Sequence, residues 1–396
     1  MLLNLVLVIV ATQPVLGQQP AEFKSKNFVM RTDVPKEEAE KLLKKLETMV
    51  ALVSKYWAVP NRRPIRIYVV ADLKNWPANS IDHRALNSLR AKAGITLADY
   101  RRVGNRSNVT AVAYSFANHR IVQHEAVHAY CYLAFGRTGP KWYAEGMAEM
   151  GAMWVEGETR VTAPKFRTEF LRRAERKSIK DITQRDTNEV GSWKTYSYRW
   201  ALCHLLANNT NYARRFRPLG LEMLTARKAS FTKTYGKQSR ELEFEYNFFL
   251  DHVQPGFDVA ACSWDWDASF RKPKSNKPVT STIQAMGGWQ PSGVSVEAGK
   301  TYRWETSGTW QIEKDGDKLT AAGRKPGRHG CLAAVIMTRF KLGEPFQLGV
   351  SGEITPEESG DLYFRCNDQW GAISNNSGEM IVSLVAAEST AKVDKK

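Results

Sequence analysis

Cysteines are few in this chain, and none lie close together in the sequence. The 396 residues contain five cysteines, and no two have the Cys-x-x-Cys spacing of a cysteine-ligated zinc site, which argues against such a site. Because five is an odd number, at least one thiol would stay unpaired, or would pair between chains, if disulfides formed. Pairing of Cys131 with Cys203 and of Cys331 with Cys366 fits the predicted domain limits, and burial as free thiols is the alternative.

Long apolar runs are missing after the first seventeen residues. Residues 2–16 form a short apolar stretch, and Gly17 follows it. Val15, Leu16 and Gly17 are small or branched residues at the positions that a signal peptidase recognises. We therefore predict a signal peptide at residues 1–17, although no Lys or Arg precedes the apolar core. No cysteine follows the cleavage point, which argues against a bacterial lipid anchor, and no later stretch has the roughly eighteen apolar residues of a spanning helix. The sequence predicts a soluble, exported protein, either secreted or periplasmic.

Acidic residues are scarce relative to basic ones. The chain has 57 Lys and Arg against 41 Asp and Glu, a net charge of +16. After residue 279 the counts are 13 basic and 14 acidic, so a net charge of about +17 belongs to the preceding part. Basic runs at residues 36–45, 167–180 and 214–227 are typical of solvated helix faces, and attraction of acidic substrates, anionic polysaccharide or a membrane surface is the alternative. No nucleic-acid-binding motif accompanies the charge, so we predict no nucleic-acid partner.

A His-Glu-Ala-Val-His sequence at residues 124–128 predicts a zinc-binding helix. Four residues along an α-helix turn the side chain by about 400°, so the two imidazoles lie one turn apart on the same face and can reach one ion. Glu125 points to the neighbouring sector, where it can act as a general base toward water. Asn118 is the predicted N-cap of this helix, and Gly136 is its predicted end.

A second helix is predicted to follow, and it carries two glutamates. Pro140 can begin it, and residues 144–153 contain good helix formers. Glu145 and Glu149 then share one face. We predict that Glu149 accepts the remaining N–H of a ligating histidine and fixes its tautomer. An amphipathic helix that only displays two surface histidines is the alternative. The predicted zinc ligands are His124, His128 and Glu145.

These two segments resemble the gluzincin metallopeptidases, the peptidase-MA-like branch of the zincins whose third ligand is a Glu on the next helix. The likeness is to secreted members in which Trp-x-x-Glu-Gly-x-Ala-Glu follows the zinc helix, here residues 142–149, and it extends over roughly residues 25–270. The resemblance implies a zincin-like fold, zinc on the two histidines and Glu145, and Glu125 as the catalytic glutamate. No Gly-x-Met-Glu-Asn segment precedes the zinc helix, so aminopeptidase activity has no support, and endopeptidase or specialised carboxamide hydrolysis stays open.

A zinc hydrolase also needs a hydrogen-bond donor for the oxyanion. Residues 196–202 open a helical run that resembles the downstream tyrosine helix of the same family. Tyr196 is the first candidate donor and Tyr198 the second, and half-buried packing residues are the alternative for both. His204 on the same run is predicted to be a core or surface residue. Residues 108–115 have the composition of an edge strand to which a peptide substrate can add, and an ordinary sheet strand is the equal alternative.

Hydrophobic periodicity predicts an α+β first domain followed by an all-β sandwich. Strands at residues 27–31 and 65–70 and a helix at 36–57 precede the zinc helices, and residues 164–253 are mostly helical. Residues 271–282 are rich in Lys, Pro, Ser and Thr, which is typical of a linker. The predicted limits are a signal peptide at 1–17, a zincin-like metallopeptidase domain at 18–270, a linker at 271–282, a β-sandwich at 283–390 and a charged tail at 391–396.

Beyond the linker, short alternating segments divided by Gly and Pro turns predict a β-sandwich of about 110 residues. Near its end, the side-chain oxygens of Asp368, Asn375 and Asn376, with the backbone carbonyl of Ala372, can converge on a hard cation such as calcium. An Asx-rich turn that binds nothing is the alternative.

The same segment, together with residues 330–336, resembles the PA-IL-like galactose-binding lectins. In those lectins an Asp, two Asn and backbone carbonyls hold a calcium ion that bridges vicinal sugar hydroxyls. The resemblance implies calcium on Asp368, Ala372, Asn375 and Asn376, and a galactose-like carbohydrate as partner. A second loop of the lectins, which supplies a further carbonyl and sugar contacts, does not align with this chain, and His329 is a candidate for one such contact.

The sequence as a whole predicts an exported zinc metallopeptidase that acts on a protein or peptide substrate. Its lectin-like sandwich, with calcium as a second cofactor, would tether it to glycan or to a cell surface. Two other functions stay open. One is a carbohydrate-binding or adhesion protein that retains a metal site without turnover, and the other is a hydrolase of a non-peptide amide or a glycoprotein.

Overall fold

The computed structural model describes residues 19–103, 106–184, 192–225, 228–324 and 329–388. These residues form a mixed α+β protein with three β-sheets. The chain divides into two compact units, residues 1–137 and residues 138–396. The predicted signal peptide and the predicted tail at 391–396 lie outside the described residues, and the domain limits set from the sequence stay a prediction.

The first unit contains a five-stranded sheet and three α-helices in its described part. In chain order its elements are β1 (Ala21–Lys24), β2 (Phe28–Thr32), α1 (Lys36–Trp57), β3 (Ile65–Val70), α2 (Leu86–Arg90), β4 (Gly94–Val103), β5 (Arg106–Phe116) and α3 (His119–Phe135). The strand order is β1-β2-β3-β5-β4. Strands β2, β3 and β5 run parallel, and the edge strands β1 and β4 run antiparallel to their neighbours. One sheet edge is therefore formed by β4.

The periodicity of the sequence accounts for α1 and β3. Helix α1 buries Leu42, Leu46 and Val50, which recur every four residues as expected for one helix face. Strand β3 has a buried residue at every second position from Ile65, as expected for a pleated strand. The predicted helix at residues 36–57 and the predicted strand at 65–70 are both confirmed. At the end of α1, Trp57 stacks on a tyrosine of α3 with ring centroids 5.7 Å apart, which ties the two helices together.

The second unit begins with helices. They are α4 (Lys141–Met153), α5 (Lys165–Arg173), α6 (Ile179–Thr183), α7 (Trp193–Asn208), α8 (Ala213–Leu224), α9 (Phe231–Tyr235) and α10 (Ser239–His252). The buried carboxylate of Glu245 on α10 connects several of these segments. It accepts hydrogen bonds from Tyr212 Oη at 2.8 Å, Asn211 Nδ2 at 2.9 Å and Trp266 Nε1 at 2.7 Å. Burial raises the pKa of Glu245, and these donors compensate in part.

The remaining strands form two sheets that pack face to face as a β-sandwich. The strands are β6 (Val279–Gln284), β7 (Gln290–Val296), β8 (Tyr302–Gln311), β9 (Leu332–Thr338), β10 (Lys341–Leu342), β11 (Phe346–Gln347), β12 (Ser351–Ile354), β13 (Gly360–Cys366) and β14 (Ser377–Ala386). One sheet has the order β10-β9-β13-β7, with β11 also paired to β9, and the other has the order β12-β8-β14-β6. Their shared core includes Trp310, Phe364 and Met380. This arrangement fits the β-sandwich predicted after residue 282, although its first strand begins earlier, at Val279.

An aromatic cluster, called the aromatic junction below, joins the helices of the second unit to the sandwich. Its members are Phe244, Phe248, Trp264, Trp266, Phe270, Trp289, Tyr363 and Trp370. The ring centroids of Trp264 and Tyr363 are 4.8 Å apart, and those of Phe248 and Trp370 are 5.2 Å apart. The segment predicted to be a linker forms a bridge from Arg271 to Val294 and then enters β6. Side chains that precede this segment in the chain and side chains that follow it therefore pack in one hydrophobic core.

All five cysteines are buried, and none of them forms a disulfide with another. Burial raises the pKa of Cys131, Cys203, Cys262 and Cys366 well above its usual range. These thiols are therefore poor nucleophiles, and the alternative of buried free cysteine replaces the two disulfides considered from the sequence. Within the described part of the chain, no helix combines the length and the apolarity that crossing a membrane requires.

The buried histidine His204 on α7 should make the fold sensitive to acid. It is 6% exposed, and burial lowers its pKa from 6.5 to about 4. Since the folded pKa lies below the unfolded one, the unfolded state gains protons first as pH falls. The unfolding free energy should therefore drop between about pH 6.5 and pH 4, by about 3 kcal/mol from this group.

Chemical denaturation at several pH values tests this contribution. Between about pH 6.5 and pH 4, the unfolding free energy of a His204→Leu variant should fall by about 3 kcal/mol less than that of the unmodified chain. His83→Gln is the control, because the His83 side chain is 89% exposed. An identical acid profile in the His204→Leu variant would contradict the assignment.

Candidate functional site

The helix with the two closely spaced histidines begins and ends where the sequence predicts. Asn118 precedes α3, and its side-chain oxygen accepts from the backbone N–H of Arg120 at 3.0 Å and of Ile121 at 3.4 Å. The helix ends at Gly136, which has a positive φ of 77° that suits glycine. The motif is therefore held on a capped helix of 17 residues.

The side chains of His124 and His128 are adjacent on α3. Their Nε2 atoms are 3.1 Å apart, and the ring planes make an angle of 77°. His124 is 8% exposed and His128 is half-buried. Donors about 2.0–2.1 Å from a tetrahedral zinc ion lie about 3.3 Å apart, so the observed separation matches two ligands of one ion.

A carboxylate of α4 completes a group of three candidate metal ligands. Each of His124, His128 and Glu145 offers one ligand atom, and these atoms all lie within 4.8 Å of one another. In the described parts of the chain, these three residues form a group that can hold one metal ion. Two imidazoles and one carboxylate are the donors that catalytic zinc sites use.

Glu125 is buried on α3 and is held by strand β4. The residue is 7% exposed. Its carboxylate Oε2 lies 2.8 Å from Thr96 Oγ1, which is also 2.9 Å from the Glu125 backbone oxygen. Gly94 on the same strand faces the Glu125 side chain, and a Cβ at Gly94 would lie 2.5 Å from Glu125 Cγ. Sequence analysis missed Thr96 and Gly94, because nothing in the motif points to residues about 30 positions earlier.

Glu149 lies one turn after Glu145 on α4 and is paired with an arginine. Its Oε2 accepts from Arg167 Nη1 of α5, and both residues are 8% exposed. A buried ion pair of this kind fixes the orientation of the carboxylate. The predicted bond from Glu149 to a ligating histidine stays a prediction. Arg167 was not identified from the sequence, because nothing distinguishes it from the other basic residues of the run at 167–180.

The tyrosines of α7 have different environments. Tyr198 is 4% exposed, and its hydroxyl donates to the backbone oxygen of Glu175 at 2.6 Å. Tyr196 is half-buried, with the Arg199 guanidinium 5.9 Å from its ring centroid. The bond to Glu175 uses the only proton of the Tyr198 hydroxyl, so Tyr198 is a poor oxyanion donor. The oxyanion role of Tyr196 stays a prediction. His204 lies among aromatic rings in the core, which is one of the two positions predicted for it.

The strand at residues 108–115 is not at the sheet edge. These residues belong to β5, which pairs with β3 on one side and with β4 on the other. The substrate-ledge interpretation of this segment was therefore wrong, and the ordinary-strand alternative holds. The error arose because composition reports burial of a strand but not its position in the sheet. The edge strand in contact with α3 is β4.

The candidate calcium residues lie in the loop between β13 and β14. Asp368 Oδ1 accepts from the backbone N–H of Gln369 at 2.7 Å, and Asn376 Nδ2 donates to the Ala285 oxygen at 3.2 Å. Asp368 Oδ2 and Asn376 Oδ1 are buried and have no hydrogen-bond partner in the structure as described. Such orphaned oxygens are costly unless a cation or water binds them, so they fit a calcium site.

The other two residues of this candidate site are more exposed. Asn375 is exposed and Ala372 is half-buried, and the Ala372 carbonyl accepts from the backbone N–H of Asn375 at 3.0 Å. The loop is anchored by Arg365, whose Nη2 donates to the backbone oxygen of Asp368. The Arg365 guanidinium lies 3.5 Å from the ring centroid of Trp370. Convergence of all four predicted oxygens on one ion stays a prediction.

Comparison with solved structures finds a likeness to a lectin domain. A solved structure described as the EclA N-terminal domain, a PllA-like lectin, aligns with 27% of this chain and 95% of its own length, at 21% sequence identity and a TM-score of 0.24. No family model matches the chain, and no curated protein matches it.

Proposed function

We propose that this protein is an exported zinc-dependent metallopeptidase that hydrolyses peptide bonds. The observation that carries the proposal is the grouping of His124, His128 and Glu145 within 4.8 Å, with Glu125 on the same helix as the histidines. The donor set suits a catalytic zinc ion, which keeps a coordination position for water or substrate. The resemblance of residues 142–149 to gluzincins and the apolar run at 1–17 support the peptidase and the export parts of the proposal.

In the proposed reaction the protein groups move the proton and hold the charge. When bound, zinc supplies Lewis acidity that polarises the scissile carbonyl and makes water more acidic. Glu125 takes the proton of the attacking water and passes it to the leaving amine. Tyr196 donates a hydrogen bond to the developing oxyanion. Arg167 pairs with Glu149, one turn after Glu145 on α4, and fixes the orientation of the Glu149 carboxylate.

Elemental analysis of the purified full-length chain, combined with peptide hydrolysis, tests this function. We expect one zinc ion per chain and cleavage of a broad peptide library that stops with a chelator and returns with zinc. Glu145→Gln and His128→Gln should lose zinc, because each removes one of three protein ligands. His83→Gln is the matched control and should retain it, since the His83 side chain is 89% exposed.

The possible outcomes separate the candidate functions. Zinc bound without cleavage of any peptide would favour a binding protein that retains a metal site, or a hydrolase of non-peptide amides if those are cleaved. Absence of zinc in the unmodified chain after zinc loading would overturn the metal site itself.

The β-sandwich is proposed to bind calcium and, through it, a galactose-like carbohydrate. The orphaned oxygens of Asp368 and Asn376 support calcium, and the exposed position of Asn375 leaves room for a ligand. The resemblance of this loop to PA-IL-like lectins supports the sugar class. A carbohydrate-binding or adhesion protein without turnover is the alternative function that these same observations favour.

Calcium should stabilise the folded chain through this loop. At a calcium concentration about 100 times the dissociation constant, the unfolding free energy should rise by about 2.7 kcal/mol. Calorimetric unfolding with and without calcium measures the effect, and Asp368→Asn should abolish most of it. Asp317→Asn is the control in the same sandwich, because its side chain is 83% exposed. Equal stabilisation of the Asp368→Asn variant would contradict the proposed site.

A further inference from the structure

The geometry points to Thr96, on the edge strand β4, as the positioning residue that orients the Glu125 carboxylate, with Gly94 providing the space that this orientation needs. The inference rests on the proposed function, since it gives Glu125 a catalytic role. It adds to that function two residues from outside the zinc motif and its following helix.

The hydroxyl of Thr96 lies between two acceptors of the same residue. Thr96 Oγ1 is 2.8 Å from Glu125 Oε2 and 2.9 Å from the Glu125 backbone oxygen. A hydroxyl has one proton to donate, and an ionised carboxylate oxygen is a stronger acceptor than a carbonyl. The hydroxyl therefore donates to Oε2 when Glu125 is ionised. This bond fixes the plane of the carboxylate and therefore the positions of both of its oxygens.

Burial makes this bond effective as an orienting contact. Glu125 is 7% exposed and Thr96 is half-buried. A hydrogen bond in such a low-dielectric environment is stronger than one in water. Threonine also has few rotamers, because its Cβ is branched, so its hydroxyl is held in one direction before substrate arrives.

Gly94 supports the same orientation by having no side chain. A Cβ at this position would lie 2.5 Å from Glu125 Cγ, 2.8 Å from Glu125 Oε1 and 2.9 Å from Ile121 Cγ2. These distances are too short for ordinary contacts, and Cγ is not the free end of the glutamate. Any larger residue at position 94 would push the carboxylate away or separate the strand from the helix.

The sheet holds both residues in register with the helix. Gly94 pairs with Ser115 and Thr96 pairs with Ala113 in the antiparallel ladder of β4 and β5. Residues two apart on a strand share one face, so both point to α3. Both contacts to Glu125 are therefore set by the backbone pairing, not by a loop.

Kinetics of Thr96→Val and Thr96→Ser variants test the inference. Valine has nearly the same shape as threonine without the hydroxyl, and serine keeps the hydroxyl. We expect Thr96→Val to lower kcat by about 10- to 100-fold with KM changed by less than about twofold, as for a misplaced catalytic group. Thr96→Ser should recover kcat to within about threefold of the unmodified chain. Zinc content and the melting temperature should stay unchanged in both.

A double variant separates positioning from a structural role. In a Glu125→Gln background, Thr96→Val should cause no further loss of kcat, because the carboxylate that it orients is already absent. Thr110→Val is the matched control on β5, where the hydroxyl donates a long hydrogen bond of 3.4 Å to the Asp99 backbone oxygen. It should hydrolyse peptides at the rate of the unmodified chain.

The remaining outcomes each overturn something specific. If the unmodified chain cleaves peptides and Thr96→Val keeps its kcat, the inference is wrong and the proposed function stands. If Thr96→Val loses zinc or melts at a lower temperature in proportion to its activity, the role of Thr96 is structural. If the unmodified chain binds zinc but cleaves nothing, the proposed function fails and the positioning role fails with it.

Discussion

The Glu125→Gln variant is expected to lose peptide hydrolysis by about 100- to 10,000-fold while keeping its zinc. Glutamine has nearly the same size as glutamate, so the buried site around residue 125 need not change. The Thr96 hydroxyl can still donate to the amide oxygen, as it does to Glu125 Oε2 at 2.8 Å. What the amide cannot do is accept a proton from the attacking water. The loss should therefore appear in kcat, with metal content and fold unaffected.

Steady-state kinetics and elemental analysis on the same preparation measure this effect. Glu169→Gln is a suitable control, because Glu169 lies on α5 and makes a long ion pair of 3.9 Å with Lys165, whose side chain is 82% exposed. It should hydrolyse peptides at the unmodified rate. A Glu125→Gln variant that retains more than about a tenth of the activity would exclude Glu125 as the general base. Loss of zinc together with activity would instead indicate that Glu125 supports the metal site.

The sequence predicted the local structure around Glu125 better than its tertiary contacts. Asn118 and Gly136 mark the ends of α3 because capping depends on residue type and short-range backbone geometry. The spacing of His124 and His128 likewise follows from the helical repeat alone. Thr96, in contrast, is 29 positions from Glu125, and its contact depends on the strand order of the sheet. The composition of residues 108–115 predicted a strand, but it could not show that β4 is the strand at the edge of the sheet.

The same limit applies to residues 271–282. Their Lys, Pro, Ser and Thr content is typical of a flexible linker, but composition does not show which residues the flanking side chains pack against. Trp264 precedes the segment and Tyr363 follows it, and their ring centroids are 4.8 Å apart. His252 at the end of α10 stacks on Trp370 at 4.7 Å, and burial lowers its pKa to about 4. Contacts between residues about 100 positions apart carry no short-range sequence signal.

In a chain that ends at residue 270, the helices of the second unit are therefore expected not to fold cooperatively. The cut removes Trp289, Tyr363 and Trp370 from the aromatic junction and leaves Phe248 and Trp264 without their partners. Each large apolar side chain that returns to water costs about 1.5–3 kcal/mol. With several such residues exposed, the loss approaches the whole stability of a typical domain, about 5–15 kcal/mol. Thermal unfolding followed by near-ultraviolet circular dichroism should show no sharp transition for these helices of the second unit.

The full-length Trp370→Ala variant gives a second measurement that does not depend on a truncated chain. Removal of this ring should cost about 3–5 kcal/mol and lower the melting temperature, because Trp370 contacts Phe248, His252 and Phe257. A chain cut after residue 390 retains every strand of the sandwich and is the control for truncation itself. If the helical part of the second unit unfolds in one sharp transition in the chain that ends at residue 270, the sandwich is a tethered module, as its composition suggested. If it does not, the sandwich shares a hydrophobic core with the helices of the second unit and is needed for their stability. The sandwich would then have a structural role in addition to any binding of glycan.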